Sequence, residues 1–133
     1  MNDENGLKEK IRNEMTVDYS NVLEKNFELA KRFIRITQSG TVDVLVKDKL
    51  PGKEKILLYL VGKLYAKEAG MTNVEYATNK ELSNELGIGM GSVLPWLKVL
   101  RDAHKIKAVK NGVHAVSISA VEGILESIEK RLK

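Results

Sequence analysis

Residues 78–118 read TNKELSNELGIGMGSVLPWLKVLRDAHKIKAVKNGVHAVSI, and this stretch decides the fold. Thr78-Asn79-Lys80-Glu81 is a capping box. The Thr78 hydroxyl and the Glu81 carboxylate suit the N–H groups that a first helical turn leaves without partners. Leu82 and Leu86 give this helix an inward face, and Gly87 ends it. Gly87-Ile88-Gly89-Met90-Gly91 reads as a turn, because it lacks the preceding strand and the lysine of a nucleotide loop. A second helix follows, with Val93, Trp96, Leu97 and Leu100 on one face. Asn111-Gly112 then separates two β-branched runs, 106–110 and 113–118. That dipeptide predicts a hairpin with a type I′ turn, which needs positive φ at both central residues.

Pro95 complicates the start of the second helix. A proline in a helix interior loses a hydrogen bond and presses on the carbonyl four residues back. Two starts avoid this. With Ser92 as N-cap, Pro95 takes the third helical position, where no intrahelical N–H is required. With a start near Gly89, Gly91 relieves the crowding because it lacks a Cβ. The first start is favoured. Trp96 shares spacing with Val93 and Leu100, which favours a core side chain over one that stacks on a base.

Working upstream, Leu50-Pro51-Gly52 breaks the chain, and Pro51 suits a first helical turn. The helix that follows runs to about Ala69 and stops at Gly70. Leu57, Leu60, Val61, Leu64 and Tyr65 form its stripe, and Ile56, Leu58 and Tyr59 widen it, which predicts a central helix. Val74-Glu75-Tyr76 suits a short strand after it. Phe33–Thr37 and Thr41–Val46 flank Gln38-Ser39-Gly40, a second hairpin. Ser20 is a candidate cap for a helix carrying Val22, Leu23, Phe27 and Ala30 and ending near Arg32. Leu7, Ile11 and Met15 lie four apart in an acidic, polar segment, either a frayed helix or an arm that docks on a partner subunit. Downstream, Ser119-Ala120-Val121-Glu122 is a second capping box. It opens an amphipathic helix carrying Val121, Ile124, Leu125, Ile128 and Leu132. The chain divides into an acidic arm or helix (1–26) with partial disorder left open, a hairpin extension (27–50), a module (51–118) and a C-terminal helix (119–133).

Composition narrows the function. With 43% apolar and 30% charged residues, the chain of 133 suits one globular domain with an extra terminal piece. Cysteine is absent, which excludes disulfides and thiolate metal sites and fits a reducing compartment. His104 and His114 are the only imidazoles, too few for a zinc site. His104 instead falls where it would offset a helix dipole. No Ser-His-Asp layout or carboxylate pair stands out, so no catalysis and no cofactor are expected. The polar start and the short longest apolar run, Ile56–Val61, predict a cytosolic protein without a membrane span. Net charge is +4, and it is unevenly spread. Residues 1–26 hold four basic and six acidic side chains, whereas residues 78–118 hold six basic and three acidic. Positive charge gathers where a polyanion would bind.

The order helix, short strand, helix, turn, helix, hairpin resembles the winged helix-turn-helix superfamily. The phrase Glu81-Leu82, Glu85-Leu86-Gly87-Ile88, Ser92-Val93, Leu97-Lys98-Val99-Leu100-Arg101 and Ile106 looks like its shared pattern. Residues 58–70 also look like small archaeal proteins of this type. The resemblance covers residues 51–118. It implies an α+β, mostly helical fold, with residues 90–104 as the recognition helix and Lys107–His114 as the wing.

On that reading Lys98 and Arg101 hold phosphates from the outer face of the helix. Lys105, Lys107 and Lys110 do so beside and along the wing. Asn79 and Lys80 meet a phosphate at a helix N-terminus, and His114 touches one on the wing. Ser92 reaches a base edge or phosphate, and Leu94 a thymine methyl. One departure stands out: Gly91, Ser92, Leu94 and Pro95 occupy the place where base readers are usually Arg, Asn, Gln, Lys or Ser, and of these only Ser is present. Two functions follow. The first is a regulator of transcription that binds double-stranded DNA as a homodimer, paired through the C-terminal helix or the N-terminal arm. The alternative is a winged-helix protein–protein interaction subunit or adaptor, supported by Leu94-Pro95 and the acidic N-terminal segment.

Overall fold

A helix that is apolar nearly all round has to be covered on every side, and residues 56–66 meet that condition at the centre of the molecule. The computed structural model describes residues 3–15 and 19–133. Its elements are α1 (Asp3–Glu14), α2 (Tyr19–Lys25), α3 (Phe27–Ala30), β1 (Ile34–Ile36), β2 (Val42–Val44), α4 (Gly52–Glu68), β3 (Ala77–Thr78), α5 (Asn79–Leu86), α6 (Met90–Asp102), β4 (Ile106–Lys110), β5 (Val113–Val116) and α7 (Val121–Leu132). Ile56, Leu58, Leu60 and Val61 of α4 are wholly buried. The β1–β2 hairpin covers one side of α4, while α5, α6, β5 and α7 cover the rest. The fold is α+β and mostly helical, and α4 to β5 follow the order of a winged helix, with β3, β5 and β4 forming an antiparallel sheet in that order.

The hairpin pairs Ile34 with Val44 and Ile36 with Val42, as the alternation upstream predicts. It lands on α4 at Gly62, where an added Cβ would overlap the Val42 side chain. Alanine normally stabilises a helix interior by about 1 kcal/mol over glycine. Here Gly62→Ala is expected to destabilise instead, by about 1–3 kcal/mol, because the hairpin has to lift. Urea unfolding checks the sign, and a stabilised variant would refute the contact.

The first capping box forms by half. The Glu81 N–H donates to Thr78 Oγ1 at 3.0 Å. The Glu81 carboxylate does not reach back, because it accepts from the Tyr59 hydroxyl at 2.5 Å and pairs with Lys63 Nζ at 3.2 Å. The Asn79 N–H is taken by the Gly112 carbonyl of the wing at 3.0 Å. Gly87 ends α5 with φ 65°.

Helix α6 begins at Met90 with Gly89 as its N-cap, not at Ser92, and Pro95 lies inside it. The Ser92 and Val93 N–H groups both donate to the Gly89 carbonyl, so the first turn closes before the proline. Gly91 is exposed, and an added Cβ there would meet nothing within 4 Å, so the missing side chain is not what admits the pyrrolidine ring. The half-buried Trp96 ring packs over Gly52 at the start of α4, where any side chain would collide with it. His104 ends α6 in the left-handed region at φ 60°. Its N–H bonds to the Arg101 carbonyl and that of Lys105 to the Leu100 carbonyl, the Schellman pattern.

Four other expectations change. Asn111 is not left-handed: only Gly112 of the wing turn has positive φ, 75°. A bulge at Val109, between the pairs Ala108–His114 and Lys110–Val113, supplies the twist that a type I′ turn would otherwise provide. The short strand is Ala77–Thr78, not residues 74–76, because those two residues lie opposite His114 and Val113. Ser20 lies within α2, where its hydroxyl donates to Glu68, and the helix breaks at buried Asn26 rather than running to Arg32. The second capping box does not form, because a 3-10 turn over Ile118–Ala120 leads into α7 with no side-chain cap.

Val121, Ile124, Leu125 and Ile128 of α7 are buried in the chain's own core. Of the expected N-terminal arm, residues 1–2 and 16–18 lie outside the described residues. Within α1 and just after it, Leu7, Ile11 and Met15 are exposed.

Candidate nucleic-acid interface

Positions i, i+4 and i+7 of a helix share a face, so Leu94, Lys98 and Arg101 project together from the outer side of α6. The wing stands opposite them, and the start of α5 closes one end. Between them runs a groove of about 690 Å³. Five of the residues expected to bind nucleic acid line it: Asn79, Leu94, Lys98, Arg101 and His114. None of the described side chains that line it is a carboxylate.

Lys80, Lys105, Lys107 and Lys110 are exposed but lie outside the groove, and Ser92 is half-buried in the first turn of α6. Successive strand residues face opposite ways. Ala108 lines the groove, so its neighbour Lys107 faces the other side of the sheet. There Lys107 helps hold the Glu75 carboxyl below its ordinary range, after the larger effect of the hydrogen bond from Lys67.

The cations of the groove differ in availability. Lys98 pairs with Asp102 at 3.0 Å, with both side chains about two-thirds exposed. Such surface pairs contribute roughly 0–1 kcal/mol, so a phosphate displaces Asp102 at little cost. Arg101 Nη1 donates to His114 Nε2 at 2.8 Å, which holds the guanidinium over the floor of the groove.

His114 departs from its expected place. It is only 3% exposed, so it is a floor residue and not a contact on the outer surface of the wing. The reason is topological: β5 is the central strand of its sheet, and all four of its residues are buried. Burial, and then the nearby Arg101 charge, push the His114 pKa below the usual histidine range. Asn79 also departs from expectation, since its backbone N–H is already bonded to Gly112 and only its side chain remains for a ligand.

The tip of α6 keeps its apolar character. Leu94 is 48% exposed beside exposed Pro95, so this end offers shape and apolar contact, not paired hydrogen bonds to bases.

A winged helix-turn-helix with a cationic groove between its second helix and its wing is the class that fold and site define. The chain belongs to the family of Firmicute plasmid replication proteins (RepL), whose model matches residues 6–123. That match takes in most of α1 and the whole β1–β2 hairpin as well as the winged helix. No curated protein and no solved structure matches the chain. The archaeal likeness of residues 58–70 has no counterpart among these findings. Among the described residues, no helix is long and apolar enough to cross a membrane.

Proposed function

We propose that the chain is a non-enzymatic DNA-binding protein that serves plasmid replication in the cytoplasm. It would hold double-stranded DNA by its phosphates, in the groove between α6 and the wing. The observation that carries this reading is the groove itself, where Lys98 and Arg101 face a wall free of carboxylates among the described lining residues. The family description favours replication over transcription as the setting. Control of transcription would use the same grip. Phosphate contacts make affinity strongly dependent on salt. The chain is therefore expected to retard random duplex DNA at about 50 mM salt and to lose most of that affinity by about 200 mM. No retardation at the lower salt sinks the reading. The adaptor reading would then be favoured if Leu94→Glu abolishes association with a protein partner.

The homodimer is proposed through the N-terminal helix and not through α7, whose apolar stripe is buried in its own core. A helix of 12 residues is marginal by itself in water, and Leu7 of α1 and Met15 just after it are exposed. Lys8 and Arg12, each one position further on than Leu7 and Ile11, give this stripe a basic flank. Phe27, Tyr65 and Ala69 are shared by two adjoining grooves, one lined also by Ile34, Ile36, Lys31 and Arg35, the other edged by Glu24, Glu28 and Glu68. The α1 helix of a second copy would set its apolar stripe against Phe27 and Tyr65 and its basic flank towards the three glutamates. The full chain is expected to run as a dimer in solution, and the double change Lys8→Glu with Arg12→Glu to run as a monomer. Light scattering decides, and a monomeric full chain removes the proposal.

A further inference from the structure

Two buried polar atoms without a hydrogen-bond partner belong to residues that line the groove: His114 Nδ1 and Asn79 Oδ1. Arg101 fixes the state of the first. A guanidinium only donates hydrogen bonds, so His114 Nε2 must accept and Nδ1 must carry the hydrogen. The result is a buried N–H with no acceptor, an arrangement that native proteins rarely leave unrelieved. An acceptor seated in the groove relieves it. The amide of Asn79 turns into a second donor when its oxygen and nitrogen exchange places, which ordinary rotation allows.

The charged surroundings select the kind of acceptor. Arg101 faces His114 from α6, and Lys98, paired with Asp102, lines the same groove. The residues paired with it across the sheet, Ala77 of β3 and Ala108 of β4, are uncharged, as is Asn79 of α5. Donors and cations without a carboxylate favour an anion. Resting on the DNA-binding reading above, we propose that the groove floor holds one backbone phosphate of the DNA through Arg101 and the His114 Nδ1–H, and that His114 takes up a proton as the phosphate binds.

The proton balance is simple. His114 Nε2 gains a proton from solvent and gives up the hydrogen bond from Arg101. The freed guanidinium N–H and the Nδ1–H then both donate to phosphate oxygens, and the new Nε2–H turns to the open groove that Arg101 vacates. Without the anion the two cations would repel each other, which disfavours the charged ring in the unbound protein. There burial and the Arg101 charge hold its pKa below the usual histidine value of about 6.5. The sign in the unbound protein follows: the unfolded chain binds the proton more readily, so the contribution of His114 to stability is present above about pH 6.5 and is lost as pH falls. Bound phosphate reverses the local field and raises the pKa, so affinity for DNA increases as pH falls.

The test compares duplex binding by the full chain at about pH 7.5 and about pH 5.5, at one salt concentration. The wild type is expected to tighten roughly fivefold between these pH values, as a pKa rise of about one unit on binding would give. His104→Gln should keep this gain, and His114→Gln, neutral at both pH values, should lose it. Equal tightening in His114→Gln overturns the proposal. NMR titration of the His114 ring in the wild type gives an independent reading, with a higher pKa expected in the complex than in the unbound protein. No rise also overturns it. A wild type that binds DNA with a flat pH profile loses only the proton-linked site, whereas one that never binds DNA loses the DNA-binding reading as well.

Discussion

Replacing Lys98, Arg101 and Lys110 together with alanine is expected to weaken duplex binding roughly 100-fold at physiological salt and to lower the salt slope by about three units. Each phosphate contact contributes about 0.9 to that slope, so three lost contacts account for both figures. The loss should be alike for all DNA sequences, because phosphates carry no sequence information. Lys107→Ala should do much less. Its side chain faces the other side of the sheet, where Glu75 already answers part of its charge. A titration series by fluorescence anisotropy separates these cases. If the triple variant binds as the wild type does, DNA sits neither in the groove nor along the wing.

The second large effect lies behind the site. Lys63 is 9% exposed, and its ammonium group has the Glu81 carboxylate 3.2 Å away, itself bonded to the Tyr59 hydroxyl. Burial, followed by the hydrogen bond to Glu81, pushes the Tyr59 pKa well above its ordinary value, so the phenol stays protonated and keeps donating. Glu81→Gln removes the carboxylate that pairs with Lys63. The expected cost is about 2–3 kcal/mol, towards the lower end for breaking a buried pair because Glu81 is partly exposed. In a domain of this size that lowers Tm by roughly 8 °C. Adding Lys63→Met to Glu81→Gln should recover most of the loss, since the stranded charge is then gone. If the double variant is no more stable than the single one, Lys63 is not the source of the cost. Differential scanning calorimetry of the two variants measures both quantities.

Sequence reasoning served best where local chemistry alone decides. Thr78 and Gly87 bound α5 because a hydroxyl cap and a left-handed stop act within a few residues. The apolar girth of residues 56–66 made α4 central, and alternation on either side of Gln38-Ser39-Gly40 was enough for the hairpin. Where the outcome depended on distant neighbours, the same reasoning fell short. Ser92 is as good a cap as Gly89 in isolation, and only the folded chain shows that the helix starts at Met90 and runs through Pro95. Glu81 left its half of the capping box because Tyr59 and Lys63 lie 22 and 18 positions away in sequence but adjacent in space. For His114 the missing fact was strand order: a residue on an edge strand faces water, and the same residue on the central strand does not. The bond that ties Arg101 to His114, and so fixes the tautomer, had no signal in the spacing of the two residues.

The hydrogen bond from the Asn79 N–H to the Gly112 carbonyl has a mechanical consequence. It fastens the tip of the wing to the first residue of α5, two positions before Glu81, whose carboxylate is anchored on α4. A pull on the wing is therefore carried along a short, stiff path into the most deeply buried helix of the molecule. The wing behaves as a braced strut and not as a hinged flap, so the width of the groove is set before any DNA arrives.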